Sequence, residues 1–227
     1  MISKTKERHE AEQLRLQGFS YSEIAQQIPV TKSTLSTWLC KIKLAPPLKK
    51  RLDSLRKAGQ NAGALAKRNQ RISKTNSLKN EITANFSNLY SDPFFNFGLS
   101  LYWAEGSKQK PWNVSARVQF SNSDPSAIMI MRQWLKTYAN KQDSELIYSL
   151  YIHKTADINL SRIQWSQKLQ IQPNDLLVVI KNNNSVFRHN KDANYIGLIR
   201  LTVKKSTWLN RQISIWTELS TKKFLGN

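Results

Sequence analysis

Phe19 to Ile42 reads FSYSEIAQQIPVTKSTLSTWLCKI, two short helical patterns parted by a tight break, the second dense in Lys, Ser and Thr. Its apolar residues Ile24, Ala25, Ile28, Val30, Leu35 and Trp38 recur at intervals that let two helices, crossing steeply through a short turn, share one small core. Ala25 stands where the pair approaches closest, so a larger side chain there would push the helices apart. Ser20, followed three residues on by Glu23, forms a capping box for the first helix, and Thr31 is placed to cap the second. With Val30, Leu35 and Trp38 turned inward, the opposite side of the second helix carries Lys32, Ser33, Thr34, Ser36, Thr37 and Lys41. Hydroxyl and ammonium groups of this kind suit base edges and phosphates. A merely solvated polar face is the plainer alternative.

These residues resemble the helix-turn-helix of resolvases, invertases and transposases over about Thr5 to Leu44, and the resemblance implies a second helix lying in the major groove of DNA. The sequence departs from that family at the turn. A position usually given to glycine, which tolerates positive φ, holds Pro29, whose ring fixes φ negative. The turn is therefore expected to be rebuilt.

The rest of the chain is strongly basic. Its 35 Lys and Arg against 15 Asp and Glu give a formal charge of +20, a self-repulsion that calls for an anionic partner, with nucleic acid in the lead. A membrane surface would attract the same charge, but no segment has the uninterrupted apolar length of a spanning helix. The N-terminus, MISKTKERHEAEQ, is too charged for a secretory signal. At 227 residues and 40% hydrophobic, the chain has room for one ordinary core with a small domain beside it. Cys40 is the single cysteine, which excludes internal disulfides and cysteine-based zinc sites and fits a reducing cytoplasm, on the nucleoid if the cell is bacterial. Its place near the end of the second helix reads as that of a small buried hydrophobe.

Three regions follow: a helix-turn-helix over 1–45, a basic, partly helical linker over 46–91, and a larger domain over 92–227. Pro46-Pro47 is expected to stop a helix, and Leu48, Leu52, Leu55 and Ala58 to restart one that Gly59 and Gly63 weaken midway. Between Lys41 and Lys79 Asp53 is the one acid among a dozen basic residues. Such a segment either tracks a phosphate backbone, with Lys49, Lys50 and Arg51 as its first contacts, or is a solvated tether. Beyond Asp92-Pro93, a helix start, the expected order is a helix to about Gly106, a strand from Val114 to Ser121, and a helix from Asp124-Pro125 to about Tyr138. Strands at Leu146–His153, Leu176–Ile180 and Ile196–Val203, a helix at Leu160–Leu169 between the first two, and a closing helix at Ser206–Leu219 complete it. The run Asn182 to Asn184 reads as a loop.

The segment Gly98 to Lys108, GLSLYWAEGSK, places Glu105 just before a helix-ending glycine, after two turns of nearly apolar surface. A carboxylate at the rim of a basic surface can hold a hard divalent cation that polarises a phosphate; equally, it can be a helix-end residue tied to Lys108 or Arg117. The stretch resembles the LAGLIDADG motif of homing endonucleases and of regulators derived from them, over roughly Phe94 to Leu219. That resemblance implies a homodimer joined through the helix from Phe94 to Ala104. It also implies that Glu105 is a catalytic and metal residue that shares Mg²⁺ with its counterpart over the scissile phosphates. Ala104-Glu105-Gly106 matches the acidic end and Ser100 is small enough for close helix contact, but Trp103 stands where the motif has its first acid and Tyr102 is bulky.

His153 and Lys154, near Asp157, read either as part of a phosphate-facing floor or as plain surface, and Arg200, Lys204 and Lys205 likewise. Asp124 reads as an N-cap; His9 and His189 show no partner. The sequence holds no GxGxxG and no GxSxG, which disfavours nucleotide hydrolysis and serine chemistry. The expectation is an α+β protein: a small all-α helix-turn-helix domain, a basic helical linker and a larger mixed domain of LAGLIDADG-like type, binding double-stranded DNA either as a Mg²⁺-dependent endonuclease or as a non-catalytic regulator.

Overall fold

The fold is given by a computed structural model that describes residues 4–181 and 195–226. The chain divides into two compact units, Met1–Ser73 and Lys74–Asn227, and is α+β. The Asn182–Asn184 run and His189 lie outside the described residues.

In the first unit α1 (Thr5–Leu16), α2 (Tyr21–Gln27) and α3 (Lys32–Leu39) lead into α4 (Pro46–Tyr90), whose later residues belong to the second unit. Ala11, Ile24, Ile28, Val30, Leu35 and Leu39 make the core, each large aliphatic contributing about 1.5–3 kcal/mol relative to exposure. The capping box forms in full: Ser20 Oγ accepts from the Glu23 N–H at 3.2 Å, and Glu23 accepts from the Ser20 N–H at 2.6 Å. Thr31 Oγ1 accepts from the Thr34 N–H at 3.3 Å. Ala25 and Trp38 are half-buried at the margin of the core rather than at its centre. Cys40, expected inside, is exposed. Leu39 takes the inward position of the last turn, and Cys40 follows as the cap, its thiol near the Thr37 carbonyl.

Pro46-Pro47 opens α4 instead of ending a helix, because the first-turn N–H groups that proline lacks have no intrahelical partner anyway. The helix then runs unbroken to Tyr90. Gly59 and Gly63 each cost about 1 kcal/mol relative to alanine, too little to interrupt a run of Ala, Leu, Lys, Arg and Gln. At the start of the helix Leu48 packs over Gly18, where φ is +92° and a Cβ would stand 2.8 Å from Leu48 Cδ2. Only glycine allows both that turn and that approach.

The second unit contains α5 (Pro93–Glu105), β1 (Gln119–Asn122), α6 (Pro125–Ala139), β2 (Leu146–His153), α7 (Ile158–Leu169), β3 (Leu176–Lys181), β4 (Leu198–Val203) and α8 (Thr207–Leu225). Asp92 and Asp124 cap α5 and α6, accepting from the Phe94 and Ser126 N–H groups at 2.8 Å each. The strands form one sheet in the order β1-β4-β2-β3. β4 is antiparallel to β1 and β2, while β2 and β3, joined through α7, are parallel. One face of the sheet, from Phe120, Leu201, Tyr148 and Leu150 to Leu176, is buried with residues of α5 to α8.

Phe95, Trp134 and Trp216 meet edge-on or stacked at the centre of this core, ring centroids 5.3–6.1 Å apart. Trp134 Nε1 donates to the Phe95 carbonyl at 3.0 Å, and Gly98 leaves room for its indole.

The strand expected from Val114 shortens to Gln119–Asn122. Side chains capture the preceding carbonyls: Arg211 donates to Val114 O at 3.0 Å, Gln109 to Ala116 O at 3.3 Å and Asn210 to Arg117 O at 2.8 Å. A backbone satisfied in this way has no need of a neighbouring strand.

Candidate nucleic-acid interface

The α2–α3 connection is rebuilt as its proline requires. Ile28 leaves α2 extended at φ −118° and ψ 136°, and the Val30 N–H donates to the Ile28 carbonyl at 2.7 Å, closing a three-residue turn around Pro29. No residue between Ile28 and Thr31 has positive φ. Thr31 is extended and caps α3.

On α3, Leu35 and Leu39 face the core, while Lys32, Ser33, Ser36 and Thr37 are exposed together with Lys41 just beyond its end. Thr34 stands apart from them. It is half-buried at the flank and its hydroxyl lies 2.9 Å from Thr31 Oγ1. Thr37 Oγ1 donates to the Ser33 carbonyl at 3.1 Å, which leaves its lone pairs directed outward as acceptors. The outward arc therefore offers two ammonium groups at its flanks and three hydroxyls between them.

At the start of α4, Lys49 and Lys50 are exposed. Arg51 is engaged elsewhere: it donates to the Gly18 carbonyl and to Glu23, each at 2.9 Å. The Ser20 backbone and hydroxyl together with Arg51 hold the Glu23 carboxyl down at about 2.

Glu105 ends α5 and is exposed. Gly106 turns the chain away, its N–H donating to the Tyr102 carbonyl at 2.7 Å. Lys108 reaches the Ala104 carbonyl at 3.3 Å, and the Glu105 carboxylate enters no ion pair with Lys108, Arg117 or any other described residue. Among the described residues no three His, Cys, Asp or Glu side chains gather. Beneath this end Tyr102 is buried, which pushes its phenol up to about 12, and its hydroxyl donates to the Ser107 carbonyl at 2.7 Å. On the same helix Phe97 and Trp103 are 56% and 55% exposed, beside the exposed Ser100 and Ala104.

The second face of the sheet carries a feature that residue-by-residue reading missed. Ser121, Arg200 and Ser149 stand side by side across β1, β4 and β2. The Arg200 guanidinium lies 4.4 Å from the Tyr151 ring centroid, donates to Tyr151 OH at 2.8 Å and to Ser121 Oγ at 3.1 Å. Arginine held flat on an aromatic in this way presents its remaining N–H groups as a fixed fork. The alternation of β2 was legible, but the pairing of β4 between β1 and β2 was not. His153 and Asp157 do not combine: Asp157 caps α7 through the Leu160 N–H at 2.9 Å, whereas the His153 ring neighbours Tyr195.

No family model, no functionally described protein and no solved structure matches the chain.

Proposed function

We propose that the protein binds double-stranded DNA sequence-specifically, with α3 in the major groove. The observation that carries this reading is the outward arc of α3, where Lys32, Ser33, Ser36, Thr37 and Lys41 are exposed on a helix whose opposite side is locked by Leu35 and Leu39. Short hydroxyls beside lysines suit base edges flanked by phosphates, and +20 of net charge supplies the attraction that brings a duplex near. In this reading Thr34 supports the cap, Lys49 and Lys50 meet phosphates, and Arg51 positions α4 against α2. The Arg200–Tyr151 face of the sheet adds a second polar, basic surface. The test is selection of bound fragments from random duplex DNA, repeated with Ser33→Ala and Thr37→Ala. A recovered consensus that relaxes in the variants supports the assignment; no consensus from the wild type sinks it.

A second reading adds phosphodiester cleavage by a homodimer joined through α5, as the LAGLIDADG resemblance implies. The exposed Phe97, Ser100, Trp103 and Ala104 favour the pairing. One chain's residues do not fit a Mg²⁺ site, since Glu105 is a single exposed carboxylate, so this reading needs the Glu105 of a second copy. Incubation of a plasmid bearing the selected site with Mg²⁺ separates the two: nicking by the wild type but not by Glu105→Gln supports a nuclease, and an intact plasmid leaves a regulator. No described helix is long and apolar enough to cross a membrane.

A further inference from the structure

The long helix α4 carries three pairs of adjacent basic residues, Lys49-Lys50, Arg56-Lys57 and Lys67-Arg68, set seven and then eleven residues apart. Those intervals are close to two and three whole turns, so at about 100° per residue all three pairs share one face, with Arg71 on its midline. Asp53 is the one acid on the helix before Glu81. Every residue from 53 to 70 is exposed, so packing explains neither the face nor the spacing. Leu48, Arg51 and Leu52, which turn toward the α1–α3 body, project from the other side of the helix.

We infer that this face of α4 is a second contact for duplex DNA, made to phosphates alone and separate from α3. Six cations on one side of a bare helix repel one another unless an anionic lattice faces them. The spacing identifies the lattice. At 1.5 Å per residue the pairs are separated by about 10 and about 16 Å. The difference, about 6 Å, is the difference between the minor and major groove widths of B-form DNA, about 6 and 12 Å. A rod laid across three successive phosphate ridges meets one groove of each width, and the breadth of the ridge adds equally to both intervals. An A-form RNA duplex, with a narrow major groove and a wide shallow minor groove, gives a different pair of intervals, and a membrane surface imposes none. The contact is sequence-independent. It rests on duplex DNA being the partner, but not on α3 reading the bases.

The test keeps charge and composition constant. In the full chain, Lys67→Asn, Arg68→Gln, Asn69→Lys and Gln70→Arg together carry the third pair about 200° round the helix. Binding to a mixed-sequence duplex of about 30 bp is measured against salt for the wild type and this permuted protein, with far-ultraviolet circular dichroism to check helicity. The permuted protein should lose close to two units of log-log slope, about 0.9 per phosphate contact, and Lys67→Gln with Arg68→Gln should lose the same. If permutation lowers helicity, the Gln pair decides alone. An unchanged slope overturns the inference, and so does an equal loss of binding to duplex RNA or to phosphatidylserine vesicles. These results are independent of the fragment selection: a consensus with an unchanged slope sinks the α4 contact alone, whereas no duplex binding at all sinks both.

Discussion

Arg51 on α4 pairs with Glu23 on α2 at 2.9 Å, and Glu23 is at the same time the reciprocal member of the Ser20 capping box. One carboxylate thus closes the start of α2 and fastens α4 to it. Its pKa falls from 4.5 to about 2, through the Ser20 backbone and hydroxyl first and Arg51 after them. The unfolded chain therefore binds more protons between those two values. The stability that the contact gives is whole above about pH 4.5 and is lost as the pH falls toward 2. Thermal unfolding of the first unit should show its midpoint dropping across that window. Glu23→Gln should melt lower than the wild type near neutrality and approach it near pH 2; parallel curves would refute the link.

Gly98 faces Trp134 so closely that any Cβ would overlap the indole. Gly98→Ala should destabilise the second unit by about 1–3 kcal/mol through overpacking, seen as a lower urea midpoint. Gly63, with nothing within 4 Å of a Cβ, is the control: Gly63→Ala should stabilise α4 by about 0.5–1 kcal/mol. If both substitutions act alike, the packing argument is wrong.

Asn210 is buried and donates to the Ser107 and Arg117 carbonyls at 3.0 and 2.8 Å. Asn210→Leu would strand those acceptors, at a cost of about 1–3 kcal/mol. Amide exchange should rise in 107–118 before it rises in β2. Uniform exchange across the unit would show that Asn210 does not hold this segment.

What the sequence disclosed and what it hid divide by range. The Ser20–Glu23 box and the Asp92-Pro93 and Asp124-Pro125 starts depend on neighbours within one turn, and each is found where the residues place it. β2 was legible because its inward residues alternate without a break, from Leu146 to His153. The truncation of β1 was not, because the donors that satisfy its approach, Asn210 and Arg211, lie over ninety residues away in sequence. Cys40 and Leu39 were exchanged because a one-residue error in phase turns a helix position by about 100°. The α3 arc came from residue spacing, whereas the role of Arg51 depends on Gly18 and Glu23, which are remote from it in the chain.

Pairing through α5 has its own measurement. Phe97 and Trp103 leave a broad apolar surface in water on a helix that is otherwise packed through Phe95, Leu99 and Tyr102. A second copy covering that surface would bury aromatic area that dominates interface energetics, while Ser100 and Ala104 let two helices approach. Phe97→Glu places a charge in such a seam without touching the buried side of α5. Sedimentation equilibrium should show the wild type as a dimer and Phe97→Glu shifted toward monomer, with unchanged circular dichroism. A wild type that stays monomeric as concentration rises would remove the homodimer, and with it the one arrangement in which two Glu105 carboxylates could meet over a phosphate.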